Sequence, residues 1–170
     1  MTKLPEKLIN EIKLHPLTAD DALFAYRVYA STRADEMKLV NWDDAQKEAF
    51  VQMQFKAQSE HYQLHYPDAE YLVIQYGKLP AGRLIVERSE NSIVVMDLAL
   101  LPEYRNLGIG GTLLRDLMTE AEKRGVPVVL RVEFFNPVIR LYTRLGFVKT
   151  RQINDVYHEM VWNPPARSTT

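Results

Sequence analysis

Three glycines within four positions place the strongest constraint on what this chain can fold into. They are Gly108, Gly110 and Gly111, and the 170-residue chain has only seven glycines in all. Because a glycine costs a helix about 0.5–1 kcal/mol relative to alanine, three at a helix entrance indicate a close approach of the backbone to a ligand. We therefore predict that the segment from Asp97 to Thr112 is a strand end, a tight turn and a helix start. Such a turn presents N–H groups and the positive end of the helix dipole, which suits a phosphate group.

The spacing of the glycines excludes two common nucleotide-binding loops. A P-loop requires a lysine after its last glycine, whereas Gly111 is followed directly by Thr112. A dinucleotide-binding fingerprint that began at Gly108 would need glycine or alanine at position 113, which is Leu113. A nucleotide triphosphatase and a dinucleotide-dependent enzyme are thus disfavoured.

The order of apolar patterns along the chain predicts a mixed sheet with interspersed helices. A run of apolar residues from Ile93 to Met96 indicates a strand that is buried on both faces and hence central. The strand, helix and strand that end near Val132 predict a parallel pair joined by a right-handed crossover. The other predicted strands lie at 12–17, 71–76, 81–87, 147–152 and 156–162, and the other predicted helices begin at Thr18, at Asp43 (running to about His61) and at Asn136. The second of these helices offers five residues for packing: Ala45, Phe50, Met53, Phe55 and Ala57.

Length and composition favour one globular domain at 11–162, a flexible leader at 1–10 and a disordered tail at 163–170. Lys and Arg number 21 and Asp and Glu 22, a formal net charge of -1 with the charges spread along the chain, so we expect neither nucleic acid nor a membrane as a partner. The chain has no cysteine, and its four histidines lack zinc-motif spacing, so no metal site is predicted. There is no apolar signal core, and we expect a cytoplasmic protein that is a monomer or a homodimer.

The glycine turn belongs to a longer motif that resembles a known family. Arg105 to Gly110 reads Arg-Asn-Leu-Gly-Ile-Gly, which fits the pattern Arg/Gln-x-x-Gly-x-Gly/Ala, and Leu98-x-Leu100-x-Pro102 precedes it. Further on, Leu141 to Phe147 is similar to the element Leu-Tyr-x-x-x-Gly-Phe. Together these resemble the GNAT superfamily of N-acetyltransferases. The resemblance implies an α/β (α+β) fold whose mixed central sheet has an antiparallel meander, a splayed parallel pair and helices on both faces, with acetyl-CoA as cofactor.

The same resemblance implies which residues bind the cofactor. The pantetheine arm would add to the strand edge through the backbone of Leu98, Ala99 and Leu100, and the pyrophosphate would lie over the loop and helix start formed by Arg105, Asn106, Leu107, Gly108, Ile109, Gly110, Gly111 and Thr112. Asn136 is six residues before Tyr142, whereas the family's asparagine usually lies seven before its tyrosine. Two interpretations of Asn136 stay open: that it caps the helix only, and that it also contacts the cofactor.

Direct acetyl transfer needs a neutral amine, because an ammonium with a pKa of about 10 has no lone pair to attack the thioester. The candidates for the base are Glu133, Asp97, Glu36 and His61, and the residues leave the choice open. The resemblance implies that Tyr142 protonates the departing thiolate.

The amine acceptor is predicted to bind residues between 25 and 66 and the terminal hairpin. The first of these regions offers the polar residues Arg27, Glu36, Gln54 and His61 and the aromatic residues Tyr29, Trp42, Tyr62 and Tyr66. The leading hypothesis is transfer to a primary amine of a small molecule, an amino acid or a protein. The alternative is a non-catalytic acyl-CoA-binding sensor or interaction module.

Overall fold

The computed structural model describes residues 11–166. The predicted leader at 1–10 and the last four residues of the predicted tail, 167–170, lie outside this range. The described part of the tail, 163–166, contains neither helix nor strand.

Seven strands form one sheet in the described residues, and four α-helices accompany them. The strands are β1 Ile12–Pro16, β2 Glu70–Tyr76, β3 Leu79–Arg88, β4 Ile93–Leu100, β5 Val128–Glu133, β6 Val148–Gln152 and β7 Tyr157–Trp162, and the helices are α1 Ala22–Met37, α2 Asp44–His65, α3 Ile109–Arg124 and α4 Ile139–Leu145. The strand order is β1-β2-β3-β4-β5-β7-β6, so β4 is the central strand, as its apolar sequence predicts. The predicted parallel pair is confirmed by β4 and β5, which pair Ile93 with Val128.

By density of contacts the chain divides into two compact units. In described elements, the first contains β1, α1, α2, β2, most of β3 and the segment Leu98–Ile109. The second contains the rest of β3 and β4 and everything from Gly110 onward. Each is described below by itself.

In the first unit, side-chain caps fix where the helices begin. Thr18 and Asp21 form a capping box before α1, and Asp43 and Gln46 form one at the start of α2, with a 2.8 Å bond from the Gln46 N–H to the Asp43 carboxylate. The two helices pack through aromatic rings: the Phe55 ring centroid lies 5.4 Å from that of Tyr29. Hydroxyl and carboxylate residues ahead of a helix are a local signal, which is why the sequence located both starts.

The predicted packing face of α2 is wrong in part. Val51 is buried and Phe55 half-buried, whereas Met53 is 60% exposed, and Ala45 and Ala57 are exposed as well. Val51 and Phe55 share the buried stripe with the polar residues Gln58 and Tyr62, which follow at helical spacing. Because two of its four positions are polar, the stripe does not show as an apolar period.

In the second unit, β5 is paired along its whole length with β7, from Val128 opposite Trp162 to Glu133 opposite Tyr157. Helix α3 buries Leu113, Leu114, Leu117 and Ala121, three of them at a spacing of three or four residues. Gly146 ends α4 in the left-handed conformation with φ 102°, which confirms its predicted role as a helix terminator.

Candidate functional site

The parallel pairing of β4 and β5 ends before either strand does. Within the described residues its register runs only to Val95 and Leu130, whereas β4 continues to Leu100 and β5 to Glu133. The last part of β4 contains Leu98, Ala99 and Leu100, the residues predicted to bind the pantetheine arm. This is the strand edge at which the sequence predicts that the two parallel strands part.

The turn after β4 contains two residues in the left-handed conformation, one residue apart. Pro102–Tyr104 forms one 3-10 turn, and the Arg105 N–H donates back to the Pro102 carbonyl at 3.2 Å. Asn106 and Gly108 then adopt positive φ values of 62° and 86°. Alternating left-handed residues direct successive N–H groups toward one side, which favours an anion.

Helix α3 begins directly after this turn, at Ile109. Ile109 is fully buried and anchors the first turn of the helix, whereas Leu107 is 41% exposed. Gly110 and Gly111 follow in the first turn, where the N–H groups have no carbonyl of an earlier helical turn to bind. Thr112 completes that turn and is half-buried.

The Arg105 side chain does not extend freely into solvent. Its Nε donates to the Leu100 carbonyl at 2.9 Å, and its Nη2 donates to the Ser31 hydroxyl at 3.2 Å. The guanidinium therefore bonds to the end of β4 and to α1. The sequence predicts for Arg105 only a place in the loop that binds the pyrophosphate. Nothing in the sequence around Ser31 signals the second contact.

Tyr142 lies on α4 and is 7% exposed. Burial raises the pKa of its phenol above the ordinary value, and the negative charge of Asp97 raises it further. Two predicted catalytic residues are thus close enough to interact. The phenol carries its proton at neutral pH, as an ordinary tyrosine does, and its raised pKa makes it a weaker acid than a free phenol.

Glu133, the third predicted catalytic residue, is at the last position of β5. The Tyr157 hydroxyl donates to its carboxylate at 3.4 Å, across the β5–β7 pairing. Two exposed aromatic residues, Phe134 and Phe135, follow it. Glu133 is half-buried, and its carboxylate accepts a hydrogen bond from a tyrosine.

Asn136 acts locally as a cap. Its side-chain oxygen accepts from the Val138 N–H at 3.0 Å, and its own carbonyl accepts from the Ile139 N–H at 3.2 Å. Regular helix begins at Ile139 and so starts later than predicted, because Asn136 to Val138 form a turn first. The Asn136 side chain therefore caps this turn and not α4 itself, whose N-cap is Val138, and a cofactor contact remains a prediction.

The predicted acceptor residues lie in different environments on α1 and α2. Arg27 and His61 are exposed, and the His61 ring contacts His65 at 4.5 Å. Glu36 pairs with Arg33 at 3.0 Å. The Gln54 side-chain oxygen is buried without a hydrogen-bond partner. No hydrogen bond, ion pair or ring contact in the described residues joins any two of these four.

A cavity that the sequence did not predict lies in the first unit, with a volume of about 410 Å³. Its wall includes Arg83, which is 4% exposed, donates to the Gln58 side chain at 3.2 Å and lies over the Phe55 ring. The sequence signal was an arginine within the otherwise apolar run from Ala81 to Val86. The cavity is lined by Leu17, Thr18, Ala19, Ala22, Ala25, Phe55, Gln58, Ser59, Tyr62, Gln63, Tyr71, Arg83 and Ile85.

Between residues 11 and 166, no cluster of three or more His, Asp or Glu side chains has the arrangement of a metal site. In the same part of the chain no helix combines the length and the apolarity needed to cross a membrane.

The chain has a mixed sheet with a parallel pair and a glycine turn that leads into a helix, as the motifs predict. The sequence profile of the family described as Acetyltransferase (GNAT) matches residues 35–147, more than half of the chain. The chain belongs to this family, and the resemblance read from the motifs is confirmed.

Solved structures share the fold at low sequence identity. The PaiA N-acetyltransferase from Thermoplasma acidophilum, in complex with coenzyme A, is 19% identical with a TM-score of 0.67, and the match covers 89% of this chain and 98% of that one. Arabidopsis thaliana Naa50, in complex with the bisubstrate analogue CoA-Ac-MVNAL, is 16% identical with a TM-score of 0.60, covering 90% and 99%. The ribosomal-protein-S18-alanine N-acetyltransferase from Escherichia coli is 19% identical with a TM-score of 0.59, covering 94% and 96%. Among curated proteins none matches the sequence.

Proposed function

We propose that this protein is an acetyl-CoA-dependent N-acetyltransferase that moves the acetyl group directly to a primary amine. The observation that carries the proposal is the segment from Leu98 to Thr112, where a central strand outlasts its parallel pairing and leads through two left-handed residues into a glycine-rich helix start. Membership of the GNAT family supports the reaction. The structures of PaiA and Naa50 with CoA or a CoA conjugate support the choice of donor.

The cofactor would bind in two parts. The pyrophosphate would lie over the loop and helix start, where the positive φ values and the first-turn N–H groups favour an anion. The pantetheine amides would pair with the backbone of Leu98 and Leu100 as an added strand, so strand geometry matters there more than side-chain identity. Asn136 is the remaining proposed cofactor contact.

The chemistry would then need two proton transfers. The lone pair of a neutral amine attacks the thioester carbonyl carbon, the C–S bond breaks, and the thiolate takes the Tyr142 proton to give CoA and an amide. The amine proton passes to a carboxylate, directly or through water. Glu133 and Asp97 are the proposed acceptors of that proton, and the position of Tyr142 in the Leu-Tyr-x-x-x-Gly-Phe element supports its role as the acid.

The acceptor is proposed to be a small molecule, an amino acid or a peptide amine that binds through α1 and α2, with contacts from Arg27, Glu36, Gln54 and His61. Naa50 is bound to the analogue CoA-Ac-MVNAL, and the Escherichia coli enzyme is named for an alanine of ribosomal protein S18, which supports a peptide among the candidates. The proposed location is the cytoplasm, and the protein is proposed to act as a monomer or homodimer.

The test measures donor binding and turnover separately. Calorimetry with acetyl-CoA should give a saturable heat, and the melting temperature should rise as the ligand is added. A thiol-release assay with a panel of amines, including amino acids, polyamines and peptides with free N-termini or lysines, should identify the acceptor. Failure to bind acetyl-CoA at millimolar concentration would refute the proposal. Binding without turnover on the whole panel would instead support the non-catalytic sensor.

A further inference from the structure

The end of β4 is held by the Arg105 side chain. Nε of Arg105 donates to the Leu100 carbonyl at 2.9 Å, and Nη2 donates to the hydroxyl of Ser31 at 3.2 Å and to its carbonyl at 3.5 Å. The Ser31 hydroxyl in turn donates to the Val28 carbonyl at 2.7 Å, so its oxygen is oriented to accept from the guanidinium. Two of the three guanidinium nitrogens are thus used within the protein.

On β3, the backbone of Gly82 packs against the same strand end, because Gly82 has no side chain. A Cβ on Gly82 would collide with the Ala99 carbonyl oxygen, and it would lie 2.8 Å from Leu100 Cδ2 and 3.1 Å from Leu100 Cα. Next to this contact, the Leu101 N–H donates to the Ala81 carbonyl at 2.9 Å. The β4 backbone at Ala99 and Leu100 therefore lies directly on Gly82, and any other residue there would displace it.

We propose that Arg105 and Gly82 are positioning residues, which fix the backbone of Leu98–Leu100 in the geometry that the pantetheine arm requires. The inference rests on the proposed function, because that strand end is the proposed pantetheine edge. It assigns Gly82 and Ser31 a role that no motif signals, and it gives the Arg105 side chain a task other than charge pairing with the pyrophosphate.

The physical reason is that strand addition depends on backbone positions alone. N–H···O bonds have donor–acceptor distances of about 2.7–3.2 Å and weaken steeply at angles below about 120°, so a small displacement of the strand weakens the bonds that an added strand would make. A side-chain contact to a ligand can adjust by rotation, but a strand edge cannot. The residues that set the edge therefore act on donor binding without touching the donor.

Two thioester donors separate this proposal from a phosphate-binding role for Arg105. Acetyl-CoA carries the phosphates, and S-acetylpantetheine carries only the arm that binds the strand. If Arg105 positions the strand, Arg105→Met lowers kcat/KM about tenfold or more for both donors, by the same factor. If Arg105 binds the pyrophosphate instead, only acetyl-CoA is affected and the proposal fails for this residue.

Gly82→Ala should show the same pattern, with equal losses for both donors, and Ser31→Ala should show a smaller equal loss. Gly77→Ala is the matched control, because a Cβ at Gly77 has nothing within 4 Å. Its positive φ of 62° makes the substitution mildly destabilising, so it also controls for lost stability. It should leave kcat/KM for both donors within about twofold. Unchanged donor kinetics in Gly82→Ala would overturn the proposal for Gly82.

A measurement independent of activity completes the test. In the protein without ligand, backbone amide NMR shifts of Leu98 to Leu101 should move in Arg105→Met, in Gly82→Ala and, less, in Ser31→Ala, but not in Gly77→Ala. Unchanged shifts in all three would overturn the proposal. If wild-type protein fails to bind acetyl-CoA but these shifts move, the proposed function has failed and the structural role of the residues stands. If Gly82→Ala does not fold, Arg105→Met and Ser31→Ala decide the outcome.

Discussion

Tyr142 is the residue on which the proposed chemistry depends most directly. Its position in the motif was visible in the sequence, but a tyrosine in an apolar helix stripe is equally typical of a protein core. The structure adds that the phenol is 7% exposed and that burial, followed by the charge of Asp97, raises its pKa. A core position and a role as acid are therefore compatible, because a phenol with an ordinary or a raised pKa holds its proton at neutral pH.

Replacing Tyr142 by phenylalanine should remove the acid and keep the packing. We expect kcat to fall by about 10²–10⁴, the usual contribution of general acid catalysis, while the dissociation constant of acetyl-CoA changes less than about threefold. Stopped assays of thiol release and calorimetry measure the two quantities. Tyr26→Phe, which removes a phenol that donates to Glu48, is the control and should keep kcat. If both variants have wild-type kcat, Tyr142 is not the acid.

At the scale of elements, the first turn of α3 carries the proposed phosphate contact. Gly110→Val would place a β-branched side chain where the ligand approaches the backbone, and we expect acetyl-CoA binding to be lost with the fold retained. Thr119→Val is the matched control, since it puts the same residue in the same helix and removes only a bond from the Thr119 hydroxyl to the Arg115 carbonyl. Calorimetry and circular dichroism measure binding and fold. Binding retained in Gly110→Val would mean that the glycines form only a turn.

The pair Tyr26 and Glu48 links α1 to α2 and makes stability depend on pH. Burial, then the hydrogen bond and charge of Glu48, raise the pKa of Tyr26 to about 12 in the folded protein, against about 10 in the unfolded chain. The neutral form is favoured on folding, so this contribution is complete below pH 10 and is lost as the pH rises toward 12. The stability difference between wild type and Tyr26→Phe, measured by urea unfolding, should therefore shrink over that interval. A difference that is constant from pH 9 to 12 would contradict the assigned cause.

Elements with local signals were predictable, and those set by distant partners were not. The helix start at Asp43 and the end of α4 at Gly146 follow from capping and glycine chemistry within a few residues. The buried stripe of α2 was not predictable from the local sequence. One of its polar residues, Gln58, accepts a hydrogen bond from Arg83, which lies 25 residues further along the chain. For the same reason the link from Arg105 to Ser31, which spans 74 residues, had no sequence signal.

At the scale of the whole molecule, the sequence identifies acetyl-CoA as the donor but does not identify the acceptor. A cofactor that binds backbone groups imposes glycines and fixed spacing, which a single sequence displays. The proposed acceptor contacts are side chains from α1 and α2, where Arg27, Gln54 and His61 carry no spacing constraint and lie in different environments. The identity of the acceptor is consequently a question for the amine panel.

The hydrophobic core and the proposed acid are coupled through Phe147, which is 2% exposed and whose ring lies 6.1 Å from that of Tyr142. Phe147→Ala should lower the free energy of unfolding by about 3–5 kcal/mol through the cavity it leaves. Because the Tyr142 ring loses its neighbour, kcat should fall as well, even at temperatures where the variant is fully folded.

Ile93→Ala is the control for this coupling, since Ile93 is fully buried at the start of β4 and the substitution should cost about 2–5 kcal/mol by the same mechanism. Urea unfolding gives the stability of each variant, and thiol release at a temperature well below both transitions gives kcat. We expect a lower kcat only in Phe147→Ala. Equal kcat values in the two variants would show that the position of Tyr142 is fixed without Phe147, because the ring contact would then contribute to stability alone.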